Sequence, residues 1–346
     1  MPTPAPVAQP AEADGLNPFQ CGFESHRGYV TTASPRPVRL PTTADLKRAV
    51  TVVRSYLPPT PLDRGLADPD EPLLKLESLQ PTGAFKVRGA LNAMSEVDAD
   101  TPVVVASAGN HGLGVAYAAR RLGRKATVVV SAEASPAKVD AMRRLGTEPV
   151  RVGRTYDDAE AHALELASRG ALYVSPYNDP EVIAGQGTIG AELDEQVDGP
   201  MTVYCPIGGG GLASGIGLWA STRPDVRVIG VESDVSTAVS ASVRAGEWVE
   251  VEVGETIADG LSGGIERDTV TIEMVARHID ELVTVSDDEI RAALRWLATR
   301  RGVVAEGAGA AGVAAVLAGK ARPEGVAVAI VSGRNIALPL YAAQLA

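Results

Sequence analysis

The chain has 346 residues, enough for about two domains of ordinary size and for a core that can support an enzyme. Apolar residues make up 45% and charged residues 22%, which excludes a disordered chain, and 36 Gly with 24 Pro scattered along it exclude collagen and coiled coil. With 43 acidic residues against 32 basic ones the net charge is -11, so a nucleic-acid partner is not expected and a small molecule is.

Cys21 and Cys205 are too few for a disulfide framework and have no metal-ligand spacing, which fits a reducing compartment without structural zinc. The first residues lack the basic and apolar regions of a signal peptide, and no apolar run approaches a membrane span. A soluble, cytoplasmic protein with no membrane partner is expected.

Residues 1–40 show no periodicity and carry Pro at 2, 4, 6, 10, 18, 35 and 37, so they read as an N-terminal extension or arm, or as plain disorder. From Pro41 onward short Val-, Leu- and Ile-rich runs alternate with helical patterns. Strands are predicted at 73–77, 102–106, 126–130, 149–152, 172–174, 201–205, 227–232, 282–285 and 325–331. Helix starts are signalled by Ser135-Pro136, Asp179-Pro180 and the capping box Ser286-Asp287-Asp288-Glu289. This alternation is the α/β pattern with mostly parallel sheets, in which ligands sit beyond the carboxyl ends of the strands.

Four segments carry candidate chemistry. Leu79 to Ala90 is a turn leading into a helix with Lys86 near its start, where a positive helix end disfavours an ammonium and favours Schiff-base chemistry; a surface lysine is the plain alternative. Ser107-Ala108-Gly109-Asn110-His111 follows a predicted strand, and its small residues let N–H groups converge on a carboxylate. Asn110 could donate to a phenolic oxygen there, and His111 reads equally as a structural histidine. Gly208-Gly209-Gly210-Gly211-Leu212 has no folding rationale in its own composition, so something must approach the backbone closely, a phosphate being the natural candidate. Gly208, Gly210 and Ala213 also fit a relaxed dinucleotide fingerprint with Glu232 as the ribose acid, which keeps an NAD-dependent oxidoreductase in view. Ser332, after the last predicted strand, can meet a neutral ring nitrogen or serve as an ordinary turn residue.

In this order, and with Ile183–Ile189, Ala258-Asp259-Gly260-Leu261 and Glu306-Gly307-Ala308-Gly309-Ala310, the segments resemble the serine/threonine dehydratase family of fold-type II pyridoxal-phosphate enzymes, from about Pro41 to the C-terminus. The resemblance implies two open, twisted, mostly parallel-sheet domains with pyridoxal 5'-phosphate in the cleft between them. The large domain would be 41–100 plus 177–346, and the small inserted one 101–176. It implies Lys86 as the Schiff-base lysine and α-proton base, with Phe85 packing by the cofactor and Asn110 facing its 3-oxygen. Gly208, Gly209, Gly210, Gly211 and Leu212 would cradle the phosphate, and Ser332 would meet the ring nitrogen. Ser107, Gly109, Asn110 and His111 would meet the substrate carboxylate. The implied reaction is β-elimination from a β-hydroxy amino acid, L-threonine or L-serine, to a 2-oxo acid and ammonia, by a homodimer. Elimination or replacement on a specialised amino acid is the alternative.

Ala108 stands where racemising members carry a serine, which disfavours an amino acid racemase. Ala84 and Arg334 depart from the usual residues, and an altered pocket shape is expected from both. Glu232 matches one ligand of the family's divalent-metal site, but 233–238 lacks the matching Asp, so no divalent metal is expected; a monovalent cation stays open. With no regulatory domain after the last predicted strand, a catabolic or specialised enzyme free of isoleucine feedback is expected.

Overall fold

The computed structural model describes residues 36–65 and 71–346, so the arm reading and Cys21 lie largely outside the described residues. The first half of the chain runs α1 (Thr43–Arg54), β1 (Leu62–Asp63), β2 (Leu73–Lys75), α2 (Lys86–Ser95), β3 (Val103–Ala106), α3 (Asn110–Leu122), β4 (Ala126–Val130), α4 (Pro136–Arg144), β5 (Val150–Arg151), α5 (Tyr156–Ser168) and β6 (Leu172–Tyr173). It continues with α6 (Pro180–Gln196), β7 (Met201–Pro206), α7 (Gly211–Ala220), β8 (Val226–Ser233), α8 (Ala238–Ala245), α9 (Thr271–His278), β9 (Glu281–Val285), α10 (Asp287–Trp296), α11 (Gly307–Leu317), β10 (Val326–Ile330) and α12 (Leu338–Leu345).

Two sheets result. One has six strands in the order β1-β2-β10-β7-β8-β9, the other four in the order β5-β4-β3-β6. Every pairing is parallel except β1 with β2. The register of the large sheet is set by apolar partners, Val328 opposite Val203 and Val203 opposite Val228. All nine predicted strands are present, most with ends shifted by a residue or two. The largest shift is at 73–77, where β2 stops at Lys75 because the chain turns into a 3₁₀ helix, Glu77–Leu79, and Ser78 N–H donates to Val331 O at 2.9 Å. The two-residue β1 was not anticipated, being too short to show a period.

Both faces of each sheet are covered, so the strands read as continuous apolar runs while still splitting by period two. Along β7, Met201, Val203 and Cys205 join one core cluster and Tyr204 the other. Val103 and Val105 of β3 likewise face away from Val104 and Ala106. The three signalled helix starts are real caps: Ser135, Asp179 and Ser286 each accept from their helix's first turn. Two further capping boxes, Thr42 with Asp45 and Thr155 with Asp158, start α1 and α5.

Helix α2, which begins with Lys86, is fixed in two ways. It crosses α6 so closely that a Cβ on Gly185 would lie 2.6 Å from Gly89 Cα, a contact only glycine permits. It is also held by a fully buried ionic cluster. Arg88 Nε donates to Glu77 at 2.7 Å and Arg88 Nη1 to Glu192 at 2.6 Å, and Lys75 Nζ donates to Glu192 at 2.5 Å. Two cations thus face two carboxylates, which satisfies the rule that buried charges must be paired.

Candidate active site

Parallel strands deliver the loops at their carboxyl ends to one crevice. The segments after β3, β7 and β10 meet there with the start of α2 and enclose a cavity of about 730 Å³. Phe85, Lys86, Ser107, Gly109, Asn110, His111, Gly208, Gly209, Gly210, Gly211, Leu212 and Ser332 all lie in its wall. Residues up to 247 positions apart are therefore brought to a single site.

Lys86 is placed by its neighbour, since Phe85 N–H donates to Ser332 O at 3.0 Å and Ala84 bridges to Gly333. Its Nζ donates to Pro176 O at 2.8 Å and has no carboxylate partner. Burial alone pushes the Lys86 ammonium down to about 8, so a free amine is accessible near neutral pH. The expected cause was the helix end; the structure gives desolvation instead.

At the glycine loop the close approach is made by the protein itself. A Cβ on Gly209 would lie 2.3 Å from the Tyr177 ring, one on Gly211 2.8 Å from Tyr177 Cα, and one on Gly208 2.8 Å from Gly260 O. Gly210 precedes α7 at φ 86°, a conformation that suits glycine. These contacts supply the folding rationale that composition could not. The N–H groups of Gly208, Gly209, Gly210 and Gly211 meet no acceptor among the described residues. They stand at the positive end of α7, an arrangement that can hold a phosphate.

Ser107 Oγ accepts from Gly109 N at 3.2 Å, which shapes the turn into α3. His111 is buried, and its Nε2 pairs with Val174 O at 2.7 Å, so this nitrogen carries the proton and Nδ1 is bare. Burial and the nearby Lys86 push the ring down to about 3. The side chain is therefore a neutral imidazole. What this residue offers an anion is its main-chain N–H in the first turn of α3.

Asn110 sits in a chain of polar groups. Its Nδ2 donates to Glu306 Oε1 at 2.7 Å, and its Oδ1 accepts from Asn335 Nδ2 at 2.7 Å. Asn335 Nδ2 also donates to Thr82 O at 2.8 Å. Burial pushes the Glu306 carboxyl up to about 7, against the stabilising bond from Asn110. Ser332 Oγ has only a 3.5 Å contact with Ala308 O, which leaves its hydroxyl available to a ring nitrogen.

Of the departures from the family pattern, Ala84 and Arg334 lie outside the cavity wall. Ala84 is fully buried against Gly333, and the Arg334 guanidinium donates to Ser78 O. Neither touches the cavity directly. Ala108 is in the wall. Glu232 is buried with its Oε1 accepting from Val239 N at 3.0 Å at the start of α8. It is pushed up to about 7 by burial, and its engagement with that helix removes it as a ribose acid.

Sequence reasoning missed Tyr177, Asn335 and Glu266 as cavity residues and gave Glu306 no role. Tyr177 packs on the glycine loop and its hydroxyl accepts from Glu266 N at 3.1 Å. The large size of Tyr177, two residues before the Asp179 cap, was the available signal; only the fold shows what it covers.

A cavity of this volume, with a half-buried lysine that has no carboxylate partner among the described residues, unpaired N–H groups at the start of α7 and a weakly engaged hydroxyl, fits pyridoxal phosphate. Comparison with known proteins agrees. The family model "Pyridoxal-phosphate dependent enzyme" matches residues 54–333. An L-threonine ammonia-lyase from Thermotoga maritima is 45% identical over 269 residues, covering 76% of this chain and 67% of the relative. Among solved structures, the processed form of threonine deaminase isoform 2 from Solanum lycopersicum superposes with a TM-score of 0.79 at 32% identity, over 90% of this chain and 96% of that one. Maize serine racemase superposes with a TM-score of 0.80 at 29% identity, over 87% and 95%. The chain belongs to the family of pyridoxal-phosphate dependent enzymes.

Proposed function

We propose that this protein is a pyridoxal-phosphate dependent ammonia-lyase that converts a β-hydroxy amino acid, L-threonine or L-serine, to a 2-oxo acid and ammonia. The observation that carries the reading is Lys86, a half-buried amine without an anionic partner among the described residues, in the wall of a cavity that also holds the start of α7. The relatives named as threonine ammonia-lyases point to the same reaction.

Bound in the cleft, the cofactor supplies an electron sink for the carbanion left when the substrate loses its α-proton. The N–H groups of Gly208 to Gly211 hold its phosphate, and Ser332 Oγ orients the ring nitrogen without giving it a full proton. Lys86 Nζ, pushed down to about 8, takes the α-proton as general base. The turn Ser107–His111 binds the substrate carboxylate through main-chain N–H groups at the start of α3, in keeping with the neutral His111 ring. Ala108, in the wall at the position where the family resemblance expects a serine in racemising members, offers no proton, which favours elimination over racemisation.

The proposed small domain, 101–176, carries the four-stranded sheet, and the remainder from 41 carries the six-stranded one. Closing the two over substrate would exclude water. A homodimer in the cytoplasm is the expected working form. The test is 2-oxo acid release from L- and D-threonine and serine, with borohydride trapping of the cofactor. Release from L-threonine or L-serine and added mass on the Lys86 peptide support the reading. A trapped Lys86 without turnover of either would move the substrate to a specialised amino acid, and a failure to trap would overturn the assignment.

A further inference from the structure

The Asn110 amide carries a donor and an acceptor on nearly identical positions, and the cavity's chemistry depends on which of them faces inward. Two neighbours decide it. An ionised carboxylate only accepts, so Glu306 Oε1, 2.7 Å away, draws Nδ2 toward itself. Asn335 Nδ2 shares its hydrogens between Asn110 Oδ1 and Thr82 O, so it can only donate and draws Oδ1 the other way. One Nδ2 hydrogen of Asn110 is left with no partner, on a side chain that lines the cavity.

Glu306 is well suited to this task. It is only 6% exposed, its backbone N–H donates to Gly333 O at 3.0 Å, and a Cβ on Gly333 would lie 2.1 Å from its Oε1. Its backbone is thus tied to Gly333, and its carboxylate packs against the same residue where only a glycine leaves room for it. We propose that Glu306 is a positioning residue which, together with Asn335, locks the Asn110 amide with its donor toward the cavity, so that an anionic ring oxygen of the cofactor is the group recognised there. The proposal rests on the pyridoxal-phosphate reading of the site and adds a residue to it.

The charged groups facing Glu306 are Asp259, which disfavours its ionised form, and Lys138 of α4, which favours it. With the carboxyl near neutrality in its titration, protonation weakens the lock, and an anionic oxygen bound at Asn110 brings Glu306 closer to its protonated state.

The experiment uses the holoenzyme with Glu306→Leu, Glu306→Gln and Asn335→Leu, and reads cofactor dissociation and the position of the visible cofactor band. Glu306→Gln keeps an accepting oxygen and should hold cofactor within about threefold of the wild type. Glu306→Leu and Asn335→Leu should each weaken cofactor binding by at least ~10-fold and shift the band, the loss expected for one hydrogen bond to a charged group. The double Leu variant should lose no more than the worse single one, because the lock is one unit. Cofactor binding and band unchanged in both Leu variants, with Lys86 still trapped by borohydride, would overturn this proposal and leave the reading of the site intact. A wild-type protein that neither binds nor traps the cofactor would overturn the reading itself. Equal losses in Glu306→Gln and Glu306→Leu would also refute the lock, since charge rather than orientation would then be the cause.

Discussion

Replacing Lys86 by methionine should make the cofactor-free protein more stable at pH 7, not less. The folded state lowers the Lys86 ammonium from 10.5 to about 8 through burial, with no carboxylate to offset it. At ~1.4 kcal/mol for each tenfold change this is a penalty of about 3 kcal/mol. The side chain opens on the cavity and is only partly shielded, and the bond to Pro176 O is lost with it, worth about 1 kcal/mol. A net gain of about 1–2 kcal/mol remains, or roughly 2–6 °C in Tm. The pH dependence gives the sign. Between about 8 and 10.5 the unfolded chain binds a proton that the folded chain does not, so wild-type stability rises across that window. The advantage of Lys86→Met should be full below 8 and gone by 10.5. Melting curves of both apoproteins at pH 7, 9 and 10.5 measure it. A variant less stable than the wild type at pH 7, or a difference independent of pH, would refute the claim that Lys86 is held against its charge.

Lys86→Ala should abolish borohydride-trapped cofactor and 2-oxo acid release while its far-ultraviolet circular dichroism stays unchanged. Gly209→Ala should raise the cofactor dissociation constant by at least ~10-fold, because its methyl would sit 2.3 Å from the Tyr177 ring and one of the two must move; titration of cofactor fluorescence reads this. Arg88→Met should cost about 3–5 kcal/mol in urea unfolding, since it strands Glu77 in the core and leaves Glu192 with Lys75 alone. The wild type should form no D-threonine or D-serine from the L-substrates, as Ala108 offers no second acid; chiral chromatography showing the D-enantiomer would contradict that.

The strands were legible because parallel sheets covered on both faces demand continuous Val and Ile runs, and the caps because Ser135, Asp179 and Ser286 use side chains that announce them. The site was legible as four loop segments, because parallel topology puts strand-following loops in one place. Three things were not. The glycine run was read as yielding to a ligand, whereas Tyr177 and Gly260, distant in sequence, are what press on it. An altered pocket shape is expected from Ala84 and Arg334, but Ala84 is buried against Gly333 and the Arg334 guanidinium donates to Ser78 O, contacts with residues that sequence alone does not pair with them. The ionic cluster of Lys75, Glu77, Arg88 and Glu192 gives no sequence signal, since each residue is common and only folding removes all four from water.

That cluster also explains why the reactive amine is Lys86. Lys86 and Arg88 are two residues apart on α2, so they point to nearly opposite sides of the helix. Within hydrogen-bond reach the fold gives Arg88 two carboxylates, whereas among the described residues Lys86 Nζ has a main-chain carbonyl and no carboxylate. Glu77 and Glu192 hold Arg88 charged, with its guanidinium pushed above its ordinary value. Lys86, on the other side, meets a carbonyl, an aromatic ring and the cavity, and is pushed down. Had either carboxylate stood within hydrogen-bond reach of Lys86 Nζ, the lysine would be a stable ammonium and a poor base. The same partition fixes the helix in place, because the paired cation anchors α2 to the 3₁₀ helix Glu77–Leu79 and to α6 while Lys86 is presented at its first turn. The reactivity of the amine and the rigidity of its support thus follow from one arrangement, in which Glu77 and Glu192 reach Arg88 and no carboxylate among the described residues reaches Lys86 Nζ.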